Sequence, residues 1–158
     1  MPSGRSMINM KKCVLAAGLL GAVLSPGIAA AALGEPEASV QTDVARLQAS
    51  IKMNSRAAYR VHELELPSGT RLREFVGTDG KVFAVAWNGP TVPNLRQALG
   101  RYFDSYVTEA KNKHAGHNRL QISQSDLVVQ SGGHMRAFSG RAYLPQSIPS
   151  GVDIGDLH

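Results

Sequence analysis

Six consecutive apolar residues, Val82 to Trp87 (VFAVAW), restrict the folds open to this chain more than any other feature. The turn sequence TDGK precedes the run at 78–81 and NGP follows it at 88–90, a pattern typical of a β-strand. Because successive side chains of a strand point to opposite faces, an apolar residue at every position requires cover on both faces. The run therefore predicts a central strand of a sheet.

Two more strands are predicted just before this one. Residues 59–66 and 70–76 are rich in bulky side chains and are joined by the turn sequence PSG at 67–69, which predicts a hairpin. The alternation of the first segment changes parity along its length. A bulge near His62 and Glu63 is predicted to reconcile its two halves.

A further hairpin is predicted near the carboxyl end. Residues 127–130 and 135–143 flank the sequence SGGH at 131–134. A Gly-Gly pair adopts the positive φ angles that two-residue hairpin turns require. We therefore expect the chain to turn at Gly132 and Gly133.

Two segments have helical periodicity. Between residues 35 and 53, apolar side chains at Val40, Val44, Leu47 and Ile51 form one stripe. The strongest stripe follows Pro93 and comprises Leu95, Ala98, Leu99, Tyr102, Phe103, Tyr106, Val107 and Ala110. Gly100 interrupts the second stripe at a cost of about 1 kcal/mol relative to alanine. The sequence KNKHAGHNR at 111–119 is expected to be a basic loop.

These elements follow the order α-β-β-β-α-β-β. That order predicts an α+β fold in which two helices pack on an antiparallel sheet of about five strands, with helix packing on one face. We expect one α+β domain over residues 33–145. Proline and glycine between 145 and 151 predict a flexible tail over residues 146–158.

The amino-terminal segment has the pattern of a secretory signal peptide. Lys11 and Lys12 precede an apolar run of 12 residues that begins at Cys13, a length too short to span a bilayer. The sequence SPG at 25–27 breaks the run, and alanines at 29–32 supply a cleavage site before Leu33. Residues 1–32 are therefore predicted to be a signal peptide, with a retained membrane anchor as the alternative. The mature domain would then contain no cysteine.

The charge beyond this segment argues against nucleic acid as a partner. The chain has 17 basic and 12 acidic residues, and Arg5, Lys11 and Lys12 all lie in the predicted signal peptide. The remainder carries 14 basic and 12 acidic residues, a net charge of +2. Nucleic-acid binders neutralise phosphates with a dense basic surface, which this balance does not predict.

Four residues are candidates for ligand binding: His134, Arg136, Arg141 and Trp87. If the chain turns at Gly132 and Gly133, then His134, Arg136 and Phe138 share one sheet face, where an imidazole and a guanidinium can hold an anion. Arg71, Arg73, Arg136 and Arg141 would together form a basic strip. The alternatives are that these charges are only solvated and that Trp87 fills the core.

The sequence gives weaker evidence for catalysis than for ligand binding. His114 and His117 have the H-x-x-H spacing of a metal site, but no carboxylate or cysteine nearby completes one, so no metal is predicted. Glu63, Glu65 and Glu74 form an acid/base pair only if the first hairpin brings them together, and strand glutamates are usually solvated. The sequence contains no nucleophile elbow, phosphate loop or dinucleotide fingerprint, so no catalytic residue and no cofactor are predicted.

Several segments resemble a family of exported bacterial proteins catalogued as domain of unknown function 2844. The similar segments are ALG at 32–34, LPSGT at 66–70, REF at 73–75, GKVFAVAWNGP at 80–90, LGRYF at 99–103, GGHMRAF at 132–138 and GRA at 140–142. The resemblance implies export and a single domain. It assigns no activity and no catalytic residue.

Together these features favour a small periplasmic or secreted binding or accessory module over an enzyme. The expected partner is a small ligand or an envelope protein, with membrane contact only during export, and the oligomeric state stays open. Two alternatives remain. One is a small envelope hydrolase that uses a glutamate or histidine, and the other is an envelope protein that assembles through an exposed sheet edge.

Overall fold

A computed structural model describes residues 33–112 and 119–158. The helices are α1 (Ala38–Leu47), α2 (Leu95–Leu99) and α3 (Phe103–Asn112). The strands are β1 (Ser50–Ser55), β2 (Tyr59–Glu65), β3 (Arg71–Gly77), β4 (Val82–Gly89), β5 (Arg119–Ser123), β6 (Val128–His134) and β7 (Ala137–Tyr143). Single turns of 3₁₀ helix lie at Gly100–Tyr102, Pro145–Ser147 and Ile154–Asp156. The strands form one antiparallel sheet in the order β1-β2-β3-β4-β7-β6-β5.

The sheet confirms the α+β prediction and the central position of the apolar run. Strand β4 pairs with β3 on one side and β7 on the other, and all six residues from Val82 to Trp87 are buried. Val85 and Trp87 belong to a core on one side of the sheet, whereas Ala84 and Ala86 belong to a core on the other. Cover on both faces explains why no residue from Val82 to Trp87 is polar.

The helices cover one face of the sheet. Val40 of α1 and Leu99 of α2 join buried residues of the sheet such as Leu64 and Val85 in a single cluster. Side chains of α3, including Phe103 and Tyr106, pack against the same cluster. We call this the helix-covered face.

The opposite face is only partly covered, and its cover comes from the end of the chain. Ile148, Val152, Ile154 and Leu157 pack on a second core that includes Phe75 and Phe83. Leu157 is fully buried. The prediction that residues 146–158 form a loose tail is therefore wrong, because the apolar side chains among its prolines and glycines find a buried site on the sheet.

The sheet has more strands than the predicted five. Helix α1 ends at Leu47, and the next residue, Gln48, has a left-handed φ of 51°, so residues 50–55 form strand β1 instead of extending the helix. Ile51 still faces the helix-covered core, opposite Leu64, which is why it fitted the helical stripe. Strand β5 is the second addition. It begins at Arg119, where a basic loop was predicted, and residues 113–118 of that loop lie outside the described residues.

The predicted bulge lies elsewhere. Strand β2 pairs with β1 and β3 in continuous register over its described length. A register shift occurs instead between β3 and β4, at Phe75 and Val76. The change of parity in β2 arises because Val61 packs on one face and Leu64 on the other.

The last hairpin turns later than predicted. Gly132 and Gly133 lie within β6, and His134 pairs with Ala137, so the turn residues are Met135 and Arg136. Arg136 adopts a φ of 63°. This left-handed backbone conformation is unfavourable for arginine. It forms here because the pairing of β6 with β7 fixes which residues make the turn.

The long second helix is interrupted. Gly100 has φ 50° and ψ −122°, which no α-helix contains, and it separates α2 from α3 through one turn of 3₁₀ helix. The apolar stripe continues across the break because both helices contact the same sheet face. In the part of the chain that the structure describes, no helix has the length and apolar content needed to cross a membrane.

Candidate functional site

A groove occupies the part of the sheet that the helices do not cover. Two rows of residues cross five strands there. The first row runs Arg71, Asn88, Ser139, Gly132, Arg119, and the second runs Arg73, Ala86, Arg141, Gln130, Gln121. Since neighbouring strands lie about 4.8 Å apart, the Cα atoms of Arg71 and Arg119 bracket about 19 Å of sheet. The first row thus places an arginine at each end of a polar floor.

The composition of the groove is cationic. Its volume is about 1130 Å³, and its lining includes Arg71, Arg73, Arg119 and Arg141 together with His134 and His158. No aspartate or glutamate side chain is among the described residues that line it. Volumes of about 300–1,000 Å³ are usual for small-ligand sites, so the groove has room for one. Its walls concentrate positive potential where a ligand would lie.

One end of the groove is partly neutralised from outside. Arg73 donates from Nε to Glu63 Oε2 at 2.8 Å, and Arg71 Nε lies 3.4 Å from Oε1 of the same carboxylate. Glu63 stands opposite Arg73 on β2, at the rim. One carboxylate therefore serves two guanidinium groups, which leaves one positive charge in excess.

Arg141 is held without being neutralised. Its Nε donates to Gln130 Oε1 at 2.8 Å, and its Nη1 donates to the backbone carbonyl of Ile154 at 2.6 Å. Both acceptors are uncharged. The half-buried guanidinium is thus fixed in orientation and retains its full charge, an arrangement suited to binding a carboxylate or phosphate.

The structure brings some of the predicted ligand-binding residues together and separates others. His134 and Arg141 both line the groove. Arg136 lies exposed in the turn beyond it, and Phe138 faces the side opposite His134, so the prediction that His134, Arg136 and Phe138 share a face is wrong. The later turn places His134 on β6, ahead of the turn, where it pairs with Ala137 and therefore shares a face with Ser139 and Arg141 instead of Phe138.

Trp87 borders the groove from beneath. Its side chain belongs to the core of the helix-covered face and is only 2% exposed. The indole lies against Gly140, where a Cβ atom would overlap Cζ2 and lie 2.7 Å from Cε2. Trp87 therefore fills the core and supports the strand that carries Arg141.

Arg119 and the polar floor were not predicted from the sequence. Arg119 was assigned to a basic loop, yet RLQIS at 119–123 alternates polar and apolar residues as a half-buried strand does. Leu120 and Ile122 pack on the helix-covered face, which leaves Arg119 pointing into the groove. That alternation was the available signal.

Among the described residues, no pair of an acidic side chain and a histidine lines the groove. Glu37 accepts a hydrogen bond from Arg60 and contacts His62 Nε2 at 2.8 Å from Oε1. The hydrogen bond from Arg60 is the main reason that the pKa of Glu37 is lowered. Both Glu37 and the buried His62 lie outside the lining of the groove. A hydrolase needs such a pair beside a cleft.

The other glutamates of the first hairpin are also separated. Glu63 is engaged by arginines, Glu65 is exposed, and Glu74 is buried on the helix-covered side. Within residues 33–112 and 119–158, no three metal-ligating side chains are grouped to hold an ion. The H-x-x-H pair, His114 and His117, lies outside the described residues.

Comparison with known proteins identifies the family but no activity. No curated protein and no solved structure matches the chain significantly. A family model described as "Protein of unknown function (DUF2844)" matches residues 29–157, which is most of the chain. The chain therefore belongs to the family of proteins of unknown function DUF2844.

Proposed function

We propose that this protein is an exported binding module that holds an anionic ligand in the groove. The observation that carries the proposal is the lining itself, which combines four arginines and two histidines with no acidic side chain among its described residues. A ligand of opposite charge would be attracted by this field and bound by guanidinium hydrogen bonds. Export to the periplasm or beyond is part of the proposal and rests on the pattern of residues 1–32.

The floor of the groove favours a ligand with neutral polar groups between its charges. Asn88 and Ser139 are exposed at the centre of the first row. Gly132 lies beside Ser139 and has no side chain to cover its backbone. Arg71 and Arg119 lie at the ends. A small molecule with carboxylate or phosphate groups fits this pattern better than a nucleic acid, given the net charge of +2 beyond residue 32.

Titration calorimetry of the purified protein with citrate and with pyrophosphate tests the proposal. We expect saturable binding of at least one anion, and Arg119→Gln should weaken it about tenfold, since that side chain contributes charge at one end. Arg141→Gln should weaken it further. Arg46→Gln is the matched control, because Arg46 is exposed on α1 and lies outside the groove lining.

Two results would contradict the proposal. One is that neither anion binds at low ionic strength, where electrostatic attraction is least screened. The other is that Arg46→Gln weakens binding as much as Arg119→Gln does. Circular dichroism of each variant separates a loss of binding from a loss of fold.

One observation favours assembly through a sheet edge as a second function. Strand β1 is at the end of the described sheet, and five of its six residues are exposed. Met53 on this strand is 60% exposed. An edge strand offers unpaired backbone groups to a partner strand. Sedimentation showing only monomer at high protein concentration would exclude self-assembly by this route.

A further inference from the structure

Two carboxyl groups are buried between α1 and the sheet, away from the groove. Asp43 of α1 and Glu74 of β3 are both fully buried. Asp43 Oδ1 accepts a hydrogen bond from Gln97 Nε2 at 2.8 Å. Neither carboxyl oxygen of Glu74 has a hydrogen-bond partner within the described structure.

An ionised carboxylate in such a place is costly. Burial without a partner disfavours the charged form of Glu74, and the negative charge of Asp43 disfavours it further. Burial and, to a lesser degree, Asp43 raise the pKa of Glu74 to about 8. Asp43 accepts a hydrogen bond from Gln97, whereas neither oxygen of Glu74 accepts one, so Glu74 is the carboxyl group that we expect to carry the proton.

The neighbouring titratable groups do not bond to Glu74: His62 Nδ1 is buried without a hydrogen-bond partner among the described residues, and no side chain donates to the Glu74 carboxyl. His62 stands opposite Glu74 on β2, and its Nε2 contacts Glu37, which is also paired with Arg60. No basic side chain of the described residues forms an ion pair with Glu74. The Glu74 carboxyl therefore has no cation to stabilise its charge.

We propose that Asp43 and Glu74 form a proton-binding site that keeps α1 docked on the sheet. One proton, carried by Glu74, leaves a single negative charge beneath the helix. Loss of this proton places two negative charges between α1 and β3 and drives α1 from the sheet. Val40, Val44 and Leu47 of α1 would then leave the helix-covered core.

The direction of the pH effect follows from proton linkage. The docked form retains a proton on Glu74 that an undocked, solvated Glu74 loses above its ordinary pKa of 4.5. Docking of α1 therefore weakens as the pH rises from 4.5 to about 8. Within this window the docking equilibrium constant falls about tenfold per pH unit. Above about pH 8 the docking equilibrium no longer depends on pH.

Hydrogen exchange of the intact protein, corrected for the intrinsic rate at each pH, tests this inference. Between about pH 6 and pH 8, we expect the protection of α1 amides to fall by up to about tenfold per unit. Protection of β4 amides should change much less, because β4 does not depend on the proton. In Glu74→Gln the protection of α1 should be independent of pH. Glu65→Gln, an exposed neighbour on β2, should behave as the wild type.

Asp43→Asn provides a second variant in case Glu74→Gln does not fold. Removing the charge of Asp43 should lower the pKa of docked Glu74, so the protection of α1 should stop falling at a lower pH than in the wild type and the total loss should be smaller. The inference is overturned if α1 protection is flat in the wild type or if the slope persists in Glu74→Gln. It is also overturned if α1 and β4 lose protection together, since that would be global unfolding, or if α1 protection in Asp43→Asn keeps falling to the same pH as in the wild type.

Discussion

Replacing Gly140 by alanine is expected to lower the free energy of unfolding by about 2 kcal/mol, within the usual cost of overpacking. The new Cβ atom would overlap Trp87 Cζ2, lie 2.7 Å from Cε2, and lie 2.8 Å from the backbone oxygen of Gln130. Carbon atoms in contact are about 3.5–4.0 Å apart, so the indole or the strand has to move by about 1 Å. Trp87 is 2% exposed, so a shift of the indole requires its buried neighbours to move as well.

Urea unfolding followed by far-ultraviolet circular dichroism measures the effect. With a slope of about 2 kcal/mol per M, the midpoint should fall by about 1 M. Ser139→Ala is the control, because Ser139 is the exposed neighbour on the same strand. A change in Gly140→Ala no larger than in this control would refute the argument.

A double-mutant cycle tests the cause. Trp87→Phe removes the part of the indole that the new methyl group would overlap. The double variant should therefore be more stable than the sum of the single effects predicts, by about 1 kcal/mol or more. Additive effects would show that Trp87 does not restrict position 140.

Three further predictions concern the carboxyl-terminal segment, the end of α1 and the mature amino terminus. Leu157→Ala should lower the free energy of unfolding by about 2–4 kcal/mol, because Leu157 is fully buried; a negligible change in urea unfolding would contradict its packing. Gln48→Gly should raise the free energy of unfolding by about 0.5–1 kcal/mol, since glycine adopts a φ of 51° without strain. A lower free energy of unfolding in the same assay would contradict this prediction. Intact mass of the protein from the cell envelope should correspond to a chain starting at Leu33, and retention of Cys13 would contradict the signal peptide.

The local elements of the fold were predictable where pattern and turn chemistry agree. The central strand and its two neighbouring turns at 67–69 and 78–81 were correct because each signal lies within a few residues. The boundary of α1 was wrong because Ile51 continues a helical stripe while facing the same core from a strand. A periodic pattern identifies a buried side chain but not which backbone presents it.

The candidate site was less predictable. His134 and Arg141 were predicted as ligand-binding residues, and both line the groove. Arg136 was misplaced because the position of the turn depends on the pairing of β6 with β7. Arg119 was missed because it was assigned to the preceding basic loop, and its position in the groove depends on neighbours distant in sequence.

The sequence alone determined that the chain forms an antiparallel α+β fold around the strand of Val82 to Trp87, since burial on both faces leaves a local pattern. Only the tertiary structure decided that β7 pairs with β4, which brings Arg71 and Arg119 to opposite ends of one row. It also decided that Glu74 is buried beneath α1 instead of solvated. Both outcomes depend on pairing and packing between segments distant in sequence, and local periodicity carries no record of which distant segment a strand or helix will contact.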